Sequence, residues 1–144
     1  LGQGSGKGKV ILFGEHFVVY GLPALAAGIA AETAAKVTRT KTTGWTIDDR
    51  RPETPGYKVE KADEQKVSTE NVIRHLGLDL SKQGIHIELA GDLVAASGIG
   101  ASAANCVALA RALNEEFRLG LNDDQINEAA YEGEKGYHGT PSGI

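Results

Sequence analysis

An α+β fold is predicted by three observations on this 144-residue chain. Apolar and polar residues alternate over Thr33–Lys41, Trp45–Asp48 and Ile85–Leu89, the mark of half-buried strands. Two later stretches place apolar residues every three or four positions, the mark of helices. The early strands are spaced by turns such as Thr42-Thr43-Gly44 and read as hairpins, not as a βαβ succession.

The helix that organises the chain follows a loop of small residues, Ser97-Gly98-Ile99-Gly100-Ala101-Ser102. Gly98 and Gly100 lack a Cβ, so the backbone can turn sharply and a ligand can lie against it. Ala103, Val107, Ala110, Leu113 and Phe117 form one apolar stripe, so the helix has its own reason to be buried. Its first N–H groups have no intrahelical partner and suit an anion. A plain glycine turn before a core helix is the competing reading. Cys106, the only cysteine, lies among apolar helix residues and reads as a core filler, which excludes an internal disulfide and a cysteine metal site.

Elsewhere the elements follow in order. Residues 1–8 are glycine-rich and are expected to be a flexible N-terminal segment. Lys9 opens a continuous apolar run, Val10 to Phe13, that reads as a buried strand. Gly14-Glu15-His16 interrupts it before Phe17-Val18-Val19-Tyr20 resumes a strand-like run, leaving a Glu–His pair that is either a solvated hairpin tip or a functional group. Ala24–Ala31 is compatible with helix or strand. Glu60–Leu76 is helix-compatible and stops at Gly77, with His75 off its apolar face. His86 falls on the polar face of its strand. Asn122 caps a last helix, with Gln125 as its capping-box partner. Ile126, Ala130 and Glu134 share one face of that helix, so Glu134 points inward and Glu132 outward. An inward carboxylate needs a cation, either a basic side chain or a metal.

Composition removes some classes. Nineteen acidic against fifteen basic residues give a net charge of −4, and no basic stripe suggests nucleic acid. No apolar run approaches the roughly 18 residues of a membrane span. Gly6-Lys7 lacks the flanking residues of a P-loop, and Ser142 is one place too late for a nucleophile elbow. Gly98-x-Gly100-x-x-Ala103 matches a dinucleotide fingerprint, but it neither follows a strand directly nor precedes a strand ending in an acid. Phosphoryl transfer fits better. The loop supplies a phosphate cradle, Ser102 and Glu134 supply oxygen ligands for Mg²⁺, and Lys9 supplies a cation.

Three ordered motifs carry a family resemblance: Gly8-Lys9-Val10-Ile11-Leu12-Phe13-Gly14-Glu15-His16 with Val18-Val19-Tyr20-Gly21, then Ser97–Ala104, then Glu134 with His138-Gly139-Thr140-Pro141-Ser142-Gly143-Ile144. Together they resemble the GHMP kinases and, in wording, the mevalonate kinases among them. Galactokinases continue Gly-Glu-His with Thr-Asp, where this chain has Phe17-Val18. The resemblance implies a mixed sheet with helices, the ribosomal protein S5 domain 2-like N-terminal domain, over residues 9–144. It implies ATP around Lys9, Ala96, Ser97, Gly98, Ile99, Gly100, Ala101 and Ser102, and Mg²⁺ on Ser102 and Glu134. Glu15 and His16 would sit at the acceptor, and Lys9 would be the cation beside the transferred phosphate. The catalytic Asp and a C-terminal domain would follow Ile144, so the 144 residues alone are expected to be inactive. Lys7 stands where the family often has Pro, and Ala101 replaces the first of two serines. The expected partners are a small-molecule substrate, mevalonate, and at most a second copy as a homodimer, in the cytoplasm. The alternatives are a GHMP kinase for another acceptor, or a nucleotide-binding module without the base.

Overall fold

The computed structural model describes residues 1–95 and 98–144. In chain order the elements are β1 (Gly2–Phe13), α1 (Glu15–Val18), β2 (Leu25–Thr40), β3 (Trp45–Asp49), α2 (Tyr57–Glu60), α3 (Ala62–His75), β4 (Gly84–Gly91), α4 (Ala101–Phe117) and α5 (Asp123–Glu134). The strands form one mixed sheet in the order β1-β2-β4-β3. β1–β2 and β2–β4 are antiparallel, while β3 lies parallel to β4. The α+β class with a mixed sheet is therefore borne out.

One face of the sheet is covered by helices. Ala35 and Val37 of β2 and Ile85, Ile87 and Leu89 of β4 pack with Val72 and Ile73 of α3, Leu109 and Leu113 of α4 and Ile126 of α5. Each large aliphatic chain buried there contributes about 1.5–3 kcal/mol. The alternate residues face solvent, where Lys36 pairs with Glu88 at 2.8 Å and the Thr46 hydroxyl meets His86 Nδ1 at 2.8 Å. The alternation in the sequence and the two-faced sheet are one fact. His75 is exposed, and α5 begins with the expected capping box between Asn122 and Gln125.

Three expectations are corrected. Residues 1–8 are not a separate flexible segment, because β1 begins at Gly2 and pairs with β2 from Gly2↔Val37 onward. The reason is a close approach that only glycine permits. A Cβ on Gly2, Gly4 or Gly6 would fall within 2.1, 2.5 and 2.1 Å of the carbonyl oxygens of Ala112, Ala108 and Ala104 respectively. Two strand residues span about 6.8 Å and four helix residues about 6 Å, so alternate glycines keep step with an alanine row of α4. The second correction concerns β3, which does not form a hairpin with β2. β4 inserts between them, and β3–α2–α3–β4 is a parallel crossover of the kind the sequence reading discounted. The third is Phe17–Tyr20, which does not resume a strand; Gly14 at φ 88° turns the chain into the one-turn helix α1.

Gly6→Val should therefore destabilise the fold by about 3 kcal/mol or more in urea unfolding, because the new side chain meets backbone that cannot yield. Gly28→Ala, where a Cβ meets nothing within 4 Å, should stay within about 1 kcal/mol of the parent.

Candidate active site

The site grows from the contact between β1 and the loop before α4. Pairing shifts register between Lys7 and Lys9, whose β2 partners are Glu32 and Gly28. Such an irregularity re-aims a side chain. Lys7 remains on the surface, paired with Glu32 at 2.6 Å. Lys9 is half-buried, its backbone N–H donates to the Ile99 carbonyl at 3.0 Å, and its ammonium donates to the Gly143 carbonyl. The loop is held from its other side too: Ala95 N–H donates to the Pro52 carbonyl at 2.9 Å and Thr54 N–H to the Ala95 carbonyl at 3.3 Å.

Gly98 and Gly100 have φ of 71° and 74°, the left-handed region open to glycine. Gly100 is also pressed on Lys9, since a Cβ there would lie 2.7 Å from Lys9 Cγ. It forms the N-cap of α4 without a side-chain hydrogen bond to the first turn. The first N–H groups of a 17-residue helix thus remain available beside Lys9. Ala96 and Ser97, expected in the same loop, lie outside the described residues.

Ser102 stands in the first turn of α4, close to Glu134, the last residue of α5. Glu134 is 4% exposed. Burial pushes its carboxyl up, opposed by Ser102, His138 and Lys9. It also sits at the negative end of α5, where an anion is unfavourable. Lys9 carries the mirror strain: burial lowers its pKa, and Glu134 partly restores it. The structure thus brings together Lys9, Gly98, Ile99, Gly100, Ala101, Ser102 and Glu134 from β1, α4 and α5. Glu15 and His16 stand apart from them, exposed on α1 beyond the end of β1.

The donor set fits magnesium. One carboxylate and one hydroxyl are hard oxygen ligands that leave the remaining positions to water and phosphate oxygens. Among the described residues no group of three or more His, Cys, Asp or Glu gathers to hold a metal unaided. Cys106 stays out of this chemistry. It is fully buried, its thiol is pushed up to about 12 by burial, and it lies 3.3 Å from Ser68 Oγ and 3.9 Å from Glu134 Oε1.

Residues 66–144 match the family described as GHMP kinases N terminal domain. This chain belongs to the GHMP kinase family. The mevalonate kinase of Thermococcus sibiricus is 30% identical over 154 residues, covering 97% of this chain and 46% of that protein. That of Archaeoglobus fulgidus is 33% identical over 141 residues, covering 97% and 47%. The crystal structure of L. major mevalonate kinase in complex with R-mevalonate shares 48% identity and a TM-score of 0.88, covering 98% of this chain and 44% of that one. This GHMP kinase chain spans about half the length of the curated relatives it matches. No described helix is long and apolar enough to cross a membrane.

Sequence reasoning missed the polar network behind Glu134, formed by Asp49, Arg51, Gln65 and Tyr137. Asp49–Gly56, with its two prolines, reads as a loop, and nothing local distinguishes exposed Arg50 from buried Arg51. The signal available is the pair of prolines that follows, which marks a fixed path rather than a free loop.

The two loop glycines should separate by stability. Gly98→Ala meets no atom within 4 Å and should cost only the left-handed strain of about 1–2 kcal/mol. Gly100→Ala adds the collision with Lys9 and should cost at least about 1 kcal/mol more in chemical denaturation.

Proposed function

We propose that the complete protein carrying this chain transfers the terminal phosphate of ATP to the hydroxyl of mevalonate, giving phosphomevalonate for isoprenoid synthesis. The observation that carries this reading is the 48% identity, over 98% of the chain, with a mevalonate kinase described in complex with R-mevalonate. The convergence of Lys9, Ser102 and Glu134 on the start of α4 supports it.

In this reading the N–H groups of 98–102 and the helix end cradle the phosphates. Ser102 and Glu134 would hold Mg²⁺, which would supply charge neutralisation for the phosphates. The acceptor oxygen forms a bond to the terminal phosphorus as the bond to the ADP oxygen breaks, and ADP leaves with that electron pair. The hydroxyl proton passes to a base that the family resemblance puts immediately after Ile144. Lys9 stabilises the charge that grows on the transferred group, the kind of contact whose loss costs about 10²–10³ in rate. Its partial desolvation strengthens that effect. Glu15 and His16 orient the acceptor, reached when the remaining half of the protein completes the cleft.

Lys9→Met in the complete protein should lower kcat about 10²–10³-fold with smaller changes in KM, and Lys9→Arg should rescue only part, because a planar fork does not replace a point charge. Steady-state kinetics decide, and near-normal turnover would leave Lys9 a structural residue. Glu134→Gln should raise the Mg²⁺ concentration needed for half-maximal rate and lower the rate itself. An unchanged magnesium titration would reduce Glu134 to a structural carboxylate near Lys9.

A further inference from the structure

Cys106 supplies no ligand and no nucleophile, yet its surroundings are not those of a core filler. The residue is 0% exposed. Its sulfur lies 3.3 Å from the Ser68 hydroxyl of α3, and its thiol donates to Glu134 Oε1 of α5 at 3.9 Å, within hydrogen-bonding reach for sulfur. Ser68 and Glu134 are themselves buried, 1% and 4% exposed. Three helices therefore meet at one sulfur atom, and the groups that α3 and α5 bring to it are polar. An ordinary thiol keeps its proton near neutral pH. With that single hydrogen on Glu134, the sulfur is left to accept from Ser68. The result is a buried chain from the Ser68 hydroxyl through the Cys106 thiol to the Glu134 carboxylate.

Neighbouring contacts build this approach. Gly133 lies against Cys106: a Cβ there would fall 2.9 Å from the sulfur and 2.7 Å from Val72 Cγ2. Gly136 lies as close to α3, where a Cβ would be 2.4 Å from Ser68 N. Asn71, one turn along α3 from Ser68, donates from Nδ2 to the Glu132 carbonyl at 3.2 Å, satisfying one of the carbonyls that a helix end leaves free. The end of α5 is thus seated on α3 and α4 both before and after Glu134. On α4, Ser102 and Cys106 stand four residues apart, one above the other on the same face. The helix that offers Ser102 in its first turn offers the thiol one turn deeper.

We infer that Cys106 is a positioning residue: its thiol, held by Ser68, orients the Glu134 carboxylate from the buried side, so that the carboxylate meets a divalent cation beside Ser102 in one fixed rotamer. The inference rests on the metal reading of Glu134 for its catalytic consequence, while the contact itself is a matter of geometry. A thiol suits the task because it is a weak donor. A lysine or arginine in that place would neutralise the carboxylate and compete with the metal, whereas apolar packing would leave the carboxylate free to turn. Loss of a group hydrogen-bonded to a metal-binding carboxylate typically costs about 10–100-fold in metal affinity or activity, and a weak donor belongs at or below the low end of that range.

The test uses the complete protein with Cys106→Ala, which removes the donor, and Cys106→Ser, which keeps one. Cys106→Ala should raise the Mg²⁺ needed for half-maximal rate at least threefold and leave the KM for the acceptor within twofold. Cys106→Ser should stay below that threefold rise, even where its buried hydroxyl lowers stability. A mere core filler predicts otherwise: both variants lose stability and neither moves the magnesium dependence. Adding Ser68→Ala to Cys106→Ala should raise the magnesium requirement no further, because both substitutions break one chain. Infrared spectroscopy reads the contact without turnover. The S–H stretching band of Cys106, identified as the band lost in either Cys106 variant, should move to higher frequency in Glu134→Gln, whose neutral amide is a weaker acceptor than a carboxylate. An unshifted band overturns the inference. So does a rise below threefold in Cys106→Ala, or a threefold rise that Cys106→Ser shares. If the parent protein phosphorylates no mevalonate, the kinase reading fails, and the infrared band alone decides whether the thiol holds the carboxylate.

Discussion

The backbone of β1 lies directly on α4, and Lys9 and the loop before α4 take their positions from that contact. Side chains on Gly2, Gly4 or Gly6 would drive strand and helix apart. With the strand seated, its next residues arrive at the start of α4: Lys9 N–H reaches Ile99, and Gly100 closes on the Lys9 side chain. The alanine row of α4 serves the same end. Alanine buries little area, but it adds no volume and pays no side-chain entropy in a helix. Shape, rather than apolar area, places the cation beside the helix end.

That placement carries a standing cost. Lys9 is desolvated, and Glu134 is desolvated at the unfavourable end of a helix. Each relieves the other only in part, since the Lys9 pKa stays lowered and that of Glu134 stays raised. Residues chosen for stability alone would avoid such an arrangement. In the proposed kinase reading, a polyanion at the lysine and helix end and a divalent cation at the carboxylate, the charge pattern of a magnesium nucleotide, would offset that cost.

Much of this was legible in the chain because it is local. The stripe of α4, the Asn122–Gln125 box and the inward face of α5 are periodic signals within one element, and they put Ser102 and Glu134 where they stand. Strand pairing is not local. Trp45–Asp49 alternates as well beside β2 as beside β4, and the crossover through α3 decides between them. The glycines of β1 carry no side-chain pattern, so their role shows only with α4 against them. Glu15 and His16 were legible as a motif and not as a site; the described residues leave them exposed on α1. Arg51 was hidden for the converse reason: it falls in a stretch that reads as a loop, and its partner Asp49 is held by Gln65, which is remote in sequence.

The central claim is that β1 and α4 together build a triphosphate site around Lys9. The most direct measurement is a crystal structure of the complete protein with Mg²⁺ and a non-hydrolysable ATP analogue. The account predicts the phosphates against the N–H groups of residues 98–102, with Lys9 Nζ within hydrogen-bond distance of the terminal phosphate and the metal on Ser102 and Glu134. Phosphates bound elsewhere, with Lys9 still held by Gly143 and Glu134 free of metal, would contradict it.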